Sequence, residues 1–213
     1  MEQPHIFGPT FSTFVRSVML CCEEKGIDYS VGLTLNGEEV PFKSEGHFGL
    51  HPYGKVPVLV LGEHRLFESA SICRYLDEIF PGADLQPSDP WQRARVDQLC
   101  AEVSGYVYQA LVVGLLLEFA FPKGEGGAVR LDKVEQALPE AVRIIERLED
   151  VLGGNAFIAG NSYTIADALL IPILDYLVRL PVADRVLSAD SGLRRYIQRI
   201  QSRPASQSVL THR

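Results

Sequence analysis

The sequence predicts a small α/β domain followed by an all-helical domain. Short strand-like runs alternate with helical runs over the first 80 residues, whereas everything after Trp91 reads as helical. Between these parts, the segment 81–91 contains three prolines and a glycine, a composition typical of a linker. We therefore expect one domain at 1–80 and a second at 92–213, sizes that a chain of 213 residues accommodates.

The first domain is predicted to have the element order βαβ-α-ββα. Residues 6–7 end a first strand, and a helix that starts at Ser12 stops at Gly26, because glycine readily takes the left-handed conformation that ends helices. Residues 28–35 read as a second strand. A crossover of this length from the first strand should be right-handed, with the two strands parallel. A variable segment at 41–51 follows, and two strands and a helix complete the order. A thioredoxin-like fold with a mixed four-stranded sheet requires this order of elements.

The segment 53–76 has the features of a unit that holds an extended peptide. Pro57 lacks a backbone N–H and suits the first residue of a strand, and residues 58–61 read as buried β structure. A short turn then reverses the chain into a second strand. Ser69 is predicted to be the N-cap of the next helix, where its hydroxyl and the free backbone amides would attract a carboxylate.

The second domain is predicted to contain two long helices and a buried third one. Residues 92–121 and about 129–152 read as the long helices, and Pro139 predicts a kink or a break in the latter. Thr164, followed three residues later by Asp167, predicts a capping box that starts the third helix.

Composition and charge exclude several classes of protein. A formal net charge of −7 without clustered Lys and Arg argues against a nucleic-acid partner. No apolar run approaches about 18 residues, so no membrane association is expected. The first five residues lack the features of a secretion signal, and the cytoplasm is the expected compartment. The four cysteines lie in apolar patterns without metal-ligand spacing, which predicts reduced thiols in the core and no metal site.

The segment 55–69 contains Lys-Val-Pro, then a hairpin, then Glu-Ser. This order strongly resembles the peptide-binding part of the thioredoxin-like domain in soluble glutathione transferases. The capping box at Thr164 resembles the box in their C-terminal domain, so the resemblance covers nearly the whole chain. The match is to serine-type members, such as the bacterial, theta and phi-like classes. It implies glutathione as co-substrate, a small hydrophobic electrophile as second substrate, and a homodimer.

Catalysis in this family requires a thiol that is reactive at neutral pH. Free thiols titrate near pH 8.5, and a hydroxyl at a helix N-terminus favours the thiolate. Ser12 matches the activating hydroxyl of the serine-type classes, with Thr13 and Thr10 as rival hydroxyls. An ordinary N-cap is the alternative interpretation of Ser12.

The resemblance also implies contacts to the rest of glutathione. Val56, before Pro57, should pair with the cysteinyl backbone, while Glu68 binds the γ-glutamyl ammonium and Ser69 its carboxylate. Thr13 is a further expected contact. For the glycyl carboxylate the expected cations are the two lysines of this region, since a His found in some relatives is replaced. These lysines are Lys43 and Lys55, which could equally be solvated surface residues, and Phe42 stands where those relatives have the His.

The electrophile pocket is expected between the start of the first helix, including Phe11, and the long helix. Tyr106, Gln109 and Val113 share one face at α-helical spacing and are its predicted lining. Such a stripe is also typical of an ordinary core. A hydrophobic acceptor is the resulting inference.

Two other functions fit the same residues. A glutathione-dependent peroxidase, isomerase, dehalogenase or ether-cleaving enzyme would use the same thiolate. A non-catalytic binding protein is favoured by Phe42 and by Ala70, which stands where the family often has Arg, and disfavoured by Ser12 and the Glu-Ser pair.

Overall fold

The computed structural model describes residues 2–210 and contains a mixed four-stranded sheet in its N-terminal half. Its strands are β1 His5–Phe7, β2 Ser30–Gly32, β5 Val58–Leu61 and β6 His64–Phe67. The sheet order is β2-β1-β5-β6, with β1 parallel to β2 and antiparallel to β5. The helices of this half are α1 Thr13–Lys25, α2 Glu45–Leu50 and α3 Ser69–Ile79. The predicted thioredoxin-like arrangement is confirmed.

The predicted second strand at 28–35 is wrong in its extent. The chain leaves the main sheet at Gly32, whose φ of 154° lies in the region that favours glycine. Residues Thr34–Leu35 form a separate strand, β3, which pairs only with β4 at Glu38–Glu39 among the described residues. The carbonyl of Gly32 accepts a hydrogen bond from the Gly8 amide at 2.9 Å.

The C-terminal half is helical. Its elements are α4 Pro90–Glu102, a π-helical segment Val103–Leu116, α5 Leu117–Ala120, a 3₁₀ turn Glu125–Gly127, α6 Leu131–Leu152, α7 Ile165–Leu177, α8 Ala183–Val186, α9 Gly192–Gln201 and α10 Pro204–Leu210. Helix α6 continues through Pro139, so the predicted break does not occur.

Helix α4, the π-helical segment and α5 form one continuous helix from Pro90 to Ala120. By length and composition this helix could cross a membrane, so the expectation that no apolar run approaches about 18 residues is wrong. Core helices of soluble proteins pass the same test. One side of its π-helical segment is buried against α6 and α7. On another side of this segment, the Tyr108 ring stacks on the Phe14 ring of α1, with the ring centroids 4.8 Å apart.

The segment between α3 and α4 is fixed although it contains neither helix nor strand. Asp77 accepts hydrogen bonds from the Lys25 ammonium at 2.8 Å, from the Leu85 amide at 3.0 Å and from the Gln86 side chain at 3.0 Å. Lys25 also donates to the Ala83 carbonyl at 2.9 Å. Because Lys25 and Asp77 are both buried, this ion pair ties the connecting segment to α1 and α3.

The prediction of core thiols is confirmed. The cysteines Cys21, Cys22, Cys73 and Cys100 are buried and form no disulfide. Burial raises the pKa of the Cys100 thiol to about 12, so this thiol is a packing group rather than a nucleophile. Among residues 2–210, no group of three or more His, Cys, Asp and Glu could hold a metal ion.

The capping box at the start of α7 is confirmed. Asp167 is fully buried and accepts hydrogen bonds from the Thr164 amide at 2.8 Å and the Thr164 hydroxyl at 3.0 Å. The Ile158 amide and the Tyr196 hydroxyl donate to its other oxygen, each at 2.9 Å. Burial raises the pKa of Asp167, and these hydrogen bonds oppose the rise.

Replacing the cap should destabilise the fold. We expect Thr164→Ala to lower the free energy of unfolding by about 1 kcal/mol or more, because the first turn of α7 loses its side-chain partner. Thr164→Ser, which keeps the hydroxyl, is the matched control and should remain near wild type. Urea unfolding followed by circular dichroism measures both, and equal losses in the two variants would contradict a capping role.

Candidate active site

Two adjoining cavities lie where the N-terminus of α1 meets the helical half. The polar cavity, of about 350 Å³, is lined among others by Ser12, Lys55, Val56, Pro57, Glu68 and Ser69. The apolar cavity, of about 410 Å³, is lined among others by Phe11, Val112, Leu116, Leu117, Phe121 and Tyr176. Four residues line both cavities, namely Ser12, Phe42, Val56 and Tyr108. The structure thus brings most of the predicted binding residues together around Ser12.

Ser12 is the N-cap of α1 and lies at the junction of the two cavities. Its Oγ accepts a hydrogen bond from the Val15 amide at 3.5 Å, at the long end of the range, and its own O–H remains available as a donor. Thr13 is buried and lines only the apolar cavity, and Thr10 is exposed and lines neither. The geometry therefore favours Ser12 among the three hydroxyls.

Val56 approaches the start of α1 closely because residue 8 is a glycine. The Val56–Pro57 bond is cis, and both residues line the polar cavity. Gly8 has a φ of 148°, and a Cβ added there would lie 2.5 Å from Val15 Cγ2 and 3.0 Å from Val56 Cβ. Any side chain at position 8 would displace Val56 or α1.

Glu68, rather than Ser69, is the N-cap of α3, so that prediction is wrong. Strand β6 ends at Phe67 and the chain turns at Glu68, whose φ is 69°, so that Ser69 becomes the first helical residue. The side chain of Glu68 makes no capping hydrogen bond to the amides of α3. Both residues line the polar cavity, and the N-terminus of α3 therefore forms part of its wall.

Two histidines that the sequence analysis did not single out support the polar cavity. His47 is fully buried; its Nδ1 accepts from the Lys43 amide and its Nε2 donates to the Lys55 carbonyl, both at 3.0 Å. The ring therefore joins the segments that carry the two lysines. Lys55 lines the polar cavity, whereas Lys43 lines neither cavity.

His51 lines the polar cavity and is buried. Its Nδ1 accepts a hydrogen bond from the Tyr53 amide at 3.2 Å, which leaves Nε2 as the donor. Burial lowers the pKa of His51, and the negative charge of Glu68 opposes this shift. Its position directly before Pro52, in the turn that leads to Val56, is the sequence signal that could have identified it.

The long helix presents residues to the cavities other than the predicted ones. Tyr108 and Val112 line the apolar cavity, whereas Tyr106 and Val113 are exposed and line neither. Gln109 lines the polar cavity instead. The prediction used α-helical spacing, but the i→i+5 hydrogen bonds of the π-helical segment put more residues into each turn and rotate the face.

Comparison with known families agrees with this geometry. Residues 11–79 match the family model described as glutathione S-transferase, N-terminal domain, and residues 108–204 match that described as glutathione S-transferase, C-terminal domain. The chain belongs to the soluble glutathione transferase superfamily. The predicted family is confirmed, and a phi-like class fits the relatives below.

Curated and solved members of this superfamily resemble the chain over its whole length. It is 26% identical over 207 residues to glutathione S-transferase F12 of Arabidopsis thaliana, covering 96% of each chain. It superimposes on glutathione transferase F7 from Populus trichocarpa with a TM-score of 0.84 at 24% identity, covering 97% of each chain. A theta class enzyme from Xanthomonas axonopodis pv. citri, solved with glutathione bound, gives a TM-score of 0.82 at 22% identity and covers 100% of this chain and 99% of its own. At sequence identities of 24% and 22%, the similarity to these two solved structures establishes the fold and nothing more.

Substitution of Gly8 should impair both stability and glutathione binding. Gly8→Ala forces a Cβ into Val15 and Val56 at a positive φ, and we expect a loss of more than about 1 kcal/mol in unfolding free energy together with weaker glutathione binding. Gly105→Ala is the matched control, since a Cβ there meets no atom within 4 Å. Denaturation and calorimetry would test this, and a Gly8→Ala variant that binds glutathione like Gly105→Ala would contradict it.

Proposed function

We propose that this chain is a glutathione transferase in which the hydroxyl of Ser12 stabilises the glutathione thiolate. The observation that carries the proposal is the position of Ser12, which caps α1 and lines both the polar and the apolar cavity. A thiolate beside Ser12 would contact a second substrate in the apolar cavity directly. Lowering a thiol pKa by two units requires about 2.7 kcal/mol, which a charge-assisted hydrogen bond and a helix N-terminus can supply.

The polar cavity supports binding of the rest of glutathione. We propose that the Val56 backbone pairs with the cysteinyl unit, while Glu68 and Ser69 bind the γ-glutamyl ammonium and carboxylate. Lys55 and the Nε2–H of His51 are the donors in this cavity that suit the glycyl carboxylate. Lys43 lies outside the cavity and is the weaker candidate.

The apolar cavity supports a neutral, hydrophobic electrophile. None of its lining residues carries a formal charge, and aromatic and aliphatic side chains predominate among them. In the proposed reaction the glutathione sulfur forms a bond to the electrophilic carbon and a leaving group departs with its electron pair. Assays with aryl halides, hydroperoxides and isomerisable substrates separate conjugation from the other reactions of a glutathione thiolate.

We further propose that the enzyme acts as a homodimer in the cytoplasm. Tyr53 and Trp91 are each 72% exposed, and such large apolar side chains favour contact with a partner copy. Four buried, reduced cysteines fit a compartment that keeps thiols reduced. Light scattering of the purified chain measures the oligomeric state.

Removal of the Ser12 hydroxyl should raise the pKa of bound glutathione. We expect Ser12→Ala to shift the thiolate absorbance titration of the complex toward the value of free glutathione, about 8.5 for an unperturbed thiol, and to lower kcat/KM at neutral pH. Thr13→Ala is the matched control for the titration, because Thr13 lines only the apolar cavity. Thr10→Ala, at an exposed hydroxyl outside both cavities, is the control for kcat/KM. A higher thiol pKa in Thr13→Ala, with no change in Ser12→Ala, would contradict the proposal and show that Thr13 activates the thiol.

Two neighbouring valines of the long helix test the location of the electrophile. Val112 lines the apolar cavity and Val113 is exposed outside it. We expect Val112→Phe to raise KM for the electrophile several-fold while the glutathione KM stays unchanged, because the larger ring fills the cavity. Val113→Phe should leave both values near wild type in steady-state assays. Equal effects of the two variants would place the electrophile elsewhere.

A further inference from the structure

The two backbone carbonyls that precede Ser12 are both held by side chains, one from α1 and one from the helical half of the chain. The Thr10 carbonyl accepts from Arg16 Nε at 2.9 Å, and the Phe11 carbonyl accepts from the Tyr176 hydroxyl at 2.8 Å. Thr10 is exposed and Phe11 is 57% exposed, so the loop has little packing of its own. Its conformation therefore depends on these two hydrogen bonds together with the turn bond from the Ser12 amide to the Pro9 carbonyl at 3.0 Å.

Tyr176 reaches this loop from α7, in the helical half of the chain. The Arg16 guanidinium lies 4.7 Å from the centre of its ring, and Arg16 is itself 3.7 Å from the fully buried Asp175. Arg179 also donates to Asp175, at 2.8 Å. Burial raises the pKa of Tyr176, as does Asp175, while Arg16 and Arg179 oppose the rise. The hydroxyl thus stays protonated and able to donate at neutral pH.

The hydroxyl of Ser12 has no comparable anchor of its own. Its hydrogen bond with the Val15 amide is 3.5 Å long, and bonds of this length are weak. The position of its Oγ therefore follows the backbone of the loop. Tyr176 binds the carbonyl of the residue directly before Ser12, so it is the one of these hydrogen-bond donors that holds this backbone from the helical half of the chain.

We propose that Tyr176 is a positioning residue for thiol activation, which holds the Ser12 hydroxyl against the thiolate by fixing the Phe11 carbonyl. The inference rests on the proposed function, because it assigns Tyr176 a role in the step that Ser12 performs. It makes the docking of the helical half onto α1 a condition for an activated thiol. Small displacements of catalytic groups have large effects on rate, even when the change that causes them lies away from the reacting atoms.

Tyr176→Phe removes the hydrogen bond and keeps the ring against Arg16 and the apolar cavity. In the glutathione complex, titration of the thiolate absorbance should show a higher thiol pKa than in wild type. Below both pKa values, kcat/KM should fall about tenfold for each unit of that shift, and the loss should disappear at alkaline pH. The glutathione KM should stay within about twofold, since the binding groups of the polar cavity are untouched. Tyr106→Phe, at a residue 68% exposed and outside both cavities, is the matched control.

A double variant separates positioning from direct contact with substrate, which matters because Tyr176 also lines the apolar cavity. If Tyr176 acts through Ser12, Tyr176→Phe should cause no further rise in thiol pKa when Ser12 is already Ala. Two outcomes would overturn this inference and leave the proposed function intact. One is a thiol pKa in Tyr176→Phe equal to that of wild type. The other is a rise in thiol pKa that is the same whether residue 12 is Ser or Ala. A wild-type chain that binds no glutathione or leaves its thiol pKa unchanged would overturn the proposed function and the inference with it.

Discussion

The packing of α1 between the sheet and α7 is the constraint on which the site depends. Ten of the thirteen residues of α1 are buried. Its charged side chains reach partners in three other segments: Arg16 to Asp175 at 3.7 Å, Lys25 to Asp77 at 2.8 Å, and Glu24 to Arg203 at 2.7 Å. Breaking a buried ion pair costs about 3–5 kcal/mol, so the helix has little freedom to slide or rotate. Ser12, the N-cap directly before this helix, is therefore held on one side by α1 and on the other by the loop carbonyls that bind Arg16 and Tyr176.

The arrangement of charge around Ser12 separates two chemical tasks. Ionisable side chains lie on the side formed by the segments that carry Lys55 and Glu68, where a charged peptide needs partners. The side formed by the long helix and Phe11 is uncharged, so that a neutral molecule there is removed from water. Electrostatic interactions with a thiolate strengthen when water is excluded. A single hydroxyl at the boundary can therefore influence the thiol pKa while the reacting carbon approaches from the apolar side.

Most features set by neighbouring residues were predictable from the sequence, although the N-cap of α3 was misplaced by one residue. Residues far from Ser12 in the chain were predictable only where the family resemblance named them, as it did Val56 and Glu68. Gly26 ends α1 with a φ of 68°, and Thr164 forms its box with Asp167, because both effects act within one helical turn. The face of the long helix was mispredicted because its π-helical hydrogen bonding has no signal in apolar spacing. Three residues around Ser12 that the resemblance did not name were missed, two of them because only the folded chain brings the helical half to Ser12. These are His51, Tyr108 and Tyr176.

A crystal structure of the complex with glutathione tests the central claim most directly, because it locates the sulfur atom relative to the start of α1. The account predicts that the sulfur lies within hydrogen-bonding distance of Ser12 Oγ, at the junction of the polar and apolar cavities, with the γ-glutamyl end against Glu68 and Ser69. A sulfur atom paired instead with the hydroxyl of Thr13 or Tyr108, or a peptide bound outside the polar cavity, would contradict it.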